Sequence, residues 1–330
     1  MSLGLSRAGE RGVKAVFLPV FLLIVAASSA GDHASPAGQD RDPASFSISV
    51  DVDLAVLHAT VTDQHGGFVS DLSQQNFEVY ENGVLQVIRL FRNEDTPVTA
   101  GLVVDHSTTM RPKLAEVTAA AGTFVHSSNQ DDELFVVNFN EKVWLGLPPT
   151  IRFTDSTVAL ERAIATQRAF GQTALYDAIA RALAELEAGT RDKKVLVVVS
   201  DGGDNASSLT LAQVMKLAGR SNAVIYTLGV FDQEDPDRNP GALKRLAQAT
   251  GGQAFFPNQL SDVVAVCEHI ARDIRHQYTI GYVPINRNRD GTYRAIRVLA
   301  RAKGHDRLFV RTRTGYIAGG ETLLDEKSAR

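Results

Sequence analysis

"GLVVDHSTTM", residues 101–110, runs three apolar residues, Leu102, Val103 and Val104, directly into an acid and a row of hydroxyls. A strand apolar at consecutive positions is covered on both faces, the mark of a parallel sheet buried between helices. Three more runs of the same kind follow: "LFVVNF" (134–139), "VLVVVS" (195–200) and "AVIYTLGV" (223–230). Amphipathic stretches separate them. One is "ALYDAIARALAEL", 174–186, with Leu175, Ile179, Leu183 and Leu186 on one helical face. Alternating strands and helices predict an α/β fold with a doubly wound, mostly parallel sheet. "VVNFNEKVWLGL", 136–147, has too short a connection for a helix and predicts a hairpin that adds one antiparallel edge strand.

Outward from this centre the pattern changes. "FSISVDV", 46–52, alternates apolar and polar residues, and "FEVYENGVLQVIRLF", 77–91, carries Asn82-Gly83 between two apolar runs, a strong hairpin signal. "DQHGG", 63–67, is another turn. "QYTIGYV" (277–283), "YRAIRVLAR" (293–301) and "RLFVRTR" (307–313) are half-buried antiparallel strands on the far side. Each flank alone is too small for a good core. The ends of an α/β domain often lie close together. The flanks, 46–94 and 277–317, are therefore expected to combine into one small antiparallel β-sandwich, with the α/β domain, 95–276, inserted between them. A flexible tail is expected over 318–330.

The N-terminus has the three-part pattern of a secretory signal over residues 1–30. Arg7, Arg11 and Lys14 precede the 13-residue apolar run "AVFLPVFLLIVAA", and Ser28 and Ala30 are placed for cleavage after Ala30. The apolar run is short of the roughly 20 residues a membrane span needs, so no transmembrane segment is expected after cleavage. Residues 31–45 have the composition of a disordered linker. An exported protein, periplasmic or secreted, is the expectation.

The 330 residues are 44% hydrophobic and 22% charged, ordinary for a globular chain. The formal charge is −4 with no basic block, which argues against a nucleic-acid partner. The eight His form no metal-ligand spacing, and the lone Cys267 excludes an intrachain disulfide. Cys267 shares a helical face with Val263, Ile270 and Ile274 and is expected to be a core residue.

In an open doubly wound sheet, ligands bind beyond the carboxyl ends of the strands, where the strand order reverses. Asp105 ends the first central strand and Asp201 ends the fourth, and these two flank that point. Asp105-x-Ser107-x-Thr109 aims alternate side chains at one place. "AFGQTALYDA", 169–178, supplies Thr173 before a helix start, and Gly202-Gly203 keep the turn after Asp201 tight. A set of hard oxygen ligands suits Mg²⁺, with Mn²⁺ possible. Asp204 and Asn205 are expected to be solvated. Asp177 should complement the dipole of its helix. His106 should point away from the ligands.

"VVDHSTTM", "GQTALYDA" and "VVVSDGGDN" together resemble the three segments of the metal-ion-dependent adhesion site of von Willebrand factor type A domains. The resemblance spans about 97–276. By position it implicates Asp105, Ser107, Thr109, Thr173 and Asp201 as metal ligands, with Thr109 standing where the family usually has Ser. The flanks, around "VTDQHGGFVSDLSQQNFEVYENG" and "YTIGYVPINRNRDGTYRAIRV", are similar to those of exported bacterial proteins related to this family. The resemblance implies a binding module: five protein oxygens leave the ion one open position, which an Asp or Glu carboxylate of a protein ligand completes. A scaffold or assembly subunit with a purely structural metal is the second reading, and a metal-dependent hydrolase the third. Catalysis lacks support, because no phosphate loop, nucleophile elbow or base beside the ion appears.

Overall fold

The computed structural model describes residues 54–165, 169–231, 237–305 and 307–319. The expected signal (1–30), linker (31–45), strand 46–52 and tail residues 320–330 lie outside the described residues. Among the described residues, no helix is long and apolar enough to cross a membrane.

The chain opens with β1 (Ala55–Thr62), β2 (Phe77–Glu81), β3 (Val84–Gln86) and β4 (Ile88–Arg92). The central region follows as β5 (Val98–Asp105), α1 (Leu114–His126), β6 (Glu133–Phe139), β7 (Val143–Leu145), α2 (Thr157–Ala165), α3 (Leu175–Leu186), β8 (Lys193–Ser200), α4 (Leu211–Arg220), β9 (Val224–Gly229), α5 (Pro240–Thr250), β10 (Ala254–Phe255) and α6 (Asp262–Arg275). The chain then returns through β11 (Tyr278–Tyr282), β12 (Tyr293–Ala300), β13 (Phe309–Arg311) and β14 (Gly315–Ile317).

The central sheet has the order β10-β9-β8-β5-β6-β7. All neighbours are parallel except β6 and β7, which form the expected antiparallel hairpin. All eight residues of β5 are buried. Leu102, Val104, Val197 and Val199 on one face meet Val117 and Phe124 of α1 and Val263 and Cys267 of α6. The intervening Val103 and Val198 are equally buried, and α3 packs against both of their strands. The continuous apolar runs therefore do mark strands covered on both sides. Cys267 is buried at 4% exposure, and that burial pushes its thiol up to about 12. It is a core residue, as its helical spacing implied.

Two four-stranded antiparallel sheets, β13-β1-β11-β4 and β14-β12-β2-β3, enclose a second core. Leu57, Val61, Phe77, Val79, Tyr278, Ile280, Tyr282 and Val298 fill it. Each sheet interleaves strands from before and after the central region, so neither flank has a sheet of its own. Asn82 and Gly83 both have positive φ, 48° and 81°, which is what the tight β2–β3 hairpin requires. Ala318 is buried and hydrogen-bonds through its N–H to the Thr292 carbonyl at 2.9 Å. The ordered chain thus extends beyond 317, past the expected start of the tail.

Candidate functional site

The sheet order reverses between β5 and β8, and the candidate ligands lie at the carboxyl ends of these two strands. At the end of β5, the Asp105 carboxylate accepts the Ser107 N–H at 2.8 Å through Oδ1 and the Ser200 hydroxyl at 2.6 Å through Oδ2. The first bond is an Asp turn that folds the chain away from the sheet. A short 3-10 turn, Thr108–Met110, follows. Ser107 Oγ lies 3.1 Å from Thr109 Oγ1, which donates to Asp201 Oδ2 at 2.5 Å. Asp201 Oδ1 in turn accepts the Gly203 N–H at 3.0 Å. A continuous hydrogen-bond chain thus joins Ser200, Asp105, Ser107, Thr109 and Asp201. Gly202 has φ +82°, and a Cβ there would stand 2.6 Å from the Asn239 carbonyl oxygen, so the turn after Asp201 demands glycine.

Thr173 lies on the neighbouring loop, itself held from several sides. The Phe170 N–H donates to the His106 carbonyl at 2.9 Å, and both the N–H and the hydroxyl of Thr108 donate to the Gly171 carbonyl. The Gln172 N–H donates to Glu141 Oε2 at 3.0 Å. Gly171 has φ +84°, and a Cβ there would overlap that carboxylate. Thr173 is joined to the 201–206 loop through its backbone: its N–H donates to Asn205 Oδ1 at 2.9 Å, and its carbonyl accepts the N–H groups of Asn205 and Ala206. The structure therefore brings Asp105, Ser107, Thr109 and Asp201 into one chain. Among the described residues, no hydrogen bond joins the Thr173 hydroxyl to that chain.

Among the surrounding residues, the expectation for Asp204 needs correction. Asp204 is not simply solvated: it accepts the Tyr176 N–H at 2.9 Å and the Ser207 hydroxyl at 2.6 Å. It satisfies an orphan donor at the start of α3, where the chain's own Ala174 offers no cap. Asn205 is exposed, as expected, and its Oδ1 also accepts the Thr173 N–H. Asp177 does sit in the first turn of α3, but its carboxylate ties the N–H groups of Ser208 and Leu209 to that turn. His106 is fully buried, with Nε2 3.1 Å from Asn138 Oδ1 and its ring against Trp144. Ser200 escaped the sequence reading altogether. The one available signal was a hydroxyl in the position before Asp201 in an otherwise aliphatic strand.

The electrostatics of this cluster are unusual. Asp105 and Asp201 are 0% and 3% exposed. Burial, and next the charge of Asp201, push the Asp105 carboxyl up to about 7, against the opposing hydrogen bonds from Ser200 and Ser107. Among the described residues no lysine or arginine forms an ion pair with either carboxylate. Nor do three or more His, Cys, Asp or Glu side chains converge as a metal cluster there. The donor set is two carboxylates and three hydroxyls, hard oxygens suited to a small divalent cation. Two adjacent buried acids without a counter-charge fit such an ion, because its charge offsets both the desolvation and the mutual repulsion.

The family model for the von Willebrand factor type A domain matches residues 101–203. Comparison with curated proteins returned no match. Among solved structures, the chain is similar to a von Willebrand factor type A protein from Catenulispora acidiphila, with 12% identity, 81% of this chain and 74% of that one covered, and a TM-score of 0.49. It is also similar to the von Willebrand factor domain of the type V pili tip protein Mfa5 from Porphyromonas gingivalis, with 14% identity, 55% and 95% covered, and a TM-score of 0.46. A third is proximal thread matrix protein 1 from the mussel byssus with a zinc-occupied MIDAS motif, at 14% identity, 54% and 48% covered, and a TM-score of 0.45.

Proposed function

We propose that this chain, whose residues 101–203 match the family model for the von Willebrand factor type A domain, binds a divalent cation, Mg²⁺ or alternatively Mn²⁺, and uses it to hold a protein ligand by an Asp or Glu carboxylate. The observation that carries this reading is the chain from Asp105 through Ser107 and Thr109 to Asp201: two buried acids and two hydroxyls at the switch point, with no cationic side chain among them. Asp105, Ser107, Thr109, Thr173 and Asp201 would hold the ion. When bound, it supplies a Lewis-acidic position for an incoming oxygen.

The residues around it orient rather than react. Ser200 fixes one oxygen of Asp105, the Ser107 N–H fixes the other, and Asn205 holds the Thr173 loop in place. Among the described residues, the histidine next to the cluster, His106, is buried against Asn138 and is not placed as a base. Binding without catalysis is therefore the favoured activity. The signal pattern at residues 1–30 supports export, to the periplasm or beyond. Calorimetric titration of the full chain with Mg²⁺ and Mn²⁺, compared with Asp105→Ala, tests the site. Equal affinity in the variant overturns it. Capture of partners from the native source with and without EDTA separates a metal-dependent ligand from a purely structural ion, which would leave capture unchanged.

A further inference from the structure

The start of α3 does not cap itself. Ala174 stands there with no side-chain bond to the first turn, so the donors of that turn are met from elsewhere. They are met by the loop that carries Asp201. The Tyr176 N–H donates to Asp204 Oδ2 at 2.9 Å and to Ser207 Oγ at 3.0 Å, and the Asp177 N–H donates to the same hydroxyl at 3.1 Å. The bonding also runs the other way. Asp177 Oδ2 accepts the Ser208 N–H at 2.9 Å, and its Oδ1 accepts the Leu209 N–H at 3.0 Å. Nearer the cluster, the Thr173 N–H donates to Asn205 Oδ1, and the Thr173 carbonyl accepts from Asn205 and Ala206. Helix start and loop thus clasp each other in both directions. Thr173 comes three residues before Tyr176, and Asp201 three before Asp204, so at most about 11 Å of chain separates either ligand from the clasp. The loop is also fixed on its far side: the Asp201 carbonyl accepts the Asn239 N–H at 3.2 Å, and Asn239 Oδ1 accepts the Ala242 N–H of α5 at 3.0 Å.

We propose that Asp177 and Asp204 are positioning residues for the metal site: by fixing Thr173 against Asp201 they select a small divalent cation, Mg²⁺ or Mn²⁺, over Ca²⁺. This rests on the metal-binding reading above and names what sets its selectivity. Both oxygens of each carboxylate are taken up inside the clasp, so these acids hold the loops instead of serving as ligands. The donor set alone does not exclude Ca²⁺, because the same hard oxygens suit both ions. Rigidity does. Replacing Mg²⁺ by Ca²⁺ lengthens each ligand bond by about 0.3–0.5 Å and calls for more ligands in looser geometry. Ligands on two independent loops meet that demand when the loops drift apart. Here Thr173 and Asp201 separate only if several backbone and carboxylate bonds break together.

The test is calorimetric titration of the full chain with Mg²⁺ and with Ca²⁺, for the wild type, Asp177→Asn, Asp204→Asn and Arg181→Gly. Each Asn keeps the shape of the acid but turns an NH₂ group towards a donor. Arg181 is exposed on α3, one turn past the clasp, so Arg181→Gly weakens the helix without touching the clasp and controls for stability alone. The wild type should bind Mg²⁺ at least about tenfold more tightly than Ca²⁺, and each Asn variant should cut that ratio to under about threefold through lost Mg²⁺ affinity, with circular dichroism unchanged. Arg181→Gly should lower the thermal midpoint and keep the ratio. Hydrogen exchange of the wild type in EDTA needs no variant: the amides of Tyr176, Asp177, Ser208 and Leu209 should be protected. A ratio kept by both Asn variants, a ratio lost equally in Arg181→Gly, or free exchange at those amides overturns the proposal. A wild type that binds Ca²⁺ as tightly as Mg²⁺ overturns the selectivity and leaves the metal-binding reading standing. A wild type that binds neither ion overturns both.

Discussion

The two ends of the central sheet treat buried acids in opposite ways. At the amino edge, Asp132 accepts the Val98 N–H at 2.8 Å and pairs with Arg275, while Asp273 at the end of α6 accepts the Thr60 hydroxyl at 2.6 Å and pairs with Arg311. Both carboxylates are fully buried, and each has its counter-charge inside the protein. At the carboxyl edge, Asp105 and Asp201 are as buried, but among the described residues their partners are hydroxyls and N–H groups. A buried charge needs a partner. The amino edge supplies its own and becomes the seam between α6 and the sandwich strands. At the carboxyl edge the described residues supply none, and the cation proposed above would take that place.

Removing a partner at the amino edge should have the largest effect. Arg311→Ala leaves Asp273 buried and uncompensated and should destabilise the chain by about 3–5 kcal/mol, read from urea unfolding. A loss below about 1 kcal/mol would mean the pair contributes no more than a surface pair. Replacing both residues, Asp273→Leu with Arg311→Met, should recover most of the loss.

The same seam should be sensitive to acid. His58 on β1 is buried, and burial, then Lys193 and Arg313, lower its pKa from 6.5 to about 3. A base whose folded pKa is lowered is neutral in the fold and protonated when unfolded, so the stability it confers is present above pH 6.5 and is lost as pH falls from 6.5 towards 3. His58→Gln should flatten the slope of unfolding free energy against pH in this window. An unchanged slope would place the acid sensitivity elsewhere.

The carboxyl edge should respond to metal instead. Mg²⁺ at about a hundredfold over its Kd should stabilise the wild-type chain by about 2.7 kcal/mol. Asp105→Ala should fold and lose that gain, read by thermal unfolding with and without EDTA. Equal stabilisation of the two proteins would remove Asp105 from the ligand set. The smallest effect is expected at Thr109. Thr109→Ser keeps the hydroxyl that bonds Asp201 and should change Mg²⁺ affinity by less than about tenfold, under ~1.4 kcal/mol. Thr109→Ala should bind markedly more weakly than Thr109→Ser in the same titration.

The central sheet was legible because hydrophobic runs such as 101–104 and 195–199 are local signals, and a strand buried on both faces has little alternative. The carboxylates were legible for the same reason: each follows such a run. What was not legible depends on residues distant in the chain. β1, Ala55–Thr62, lacks alternation because its polar His58 and Thr60 are buried at the seam, so no strand was read there. Asp204, Asn205 and Asp177 look like loop and helix-start polar residues, and their engagement follows from how two loops meet. Ser200 faces Asp105 across 95 residues of sequence, a pairing that sheet register alone decides.

The interleaving of the two outer sheets also sets an order of events in synthesis. Thr60 must wait for Asp273, 213 residues later, before its seam can close. At roughly 5–20 residues per second, that is about ten to forty seconds during which β1 and β4 have left the ribosome without β11 and β13, the strands they pair with. The first segment made is among the last to be secured. Over that interval its edges are open to pairing with other chains, so a chaperone that shields these strands would matter more to the yield of this protein than one that acts on the central domain.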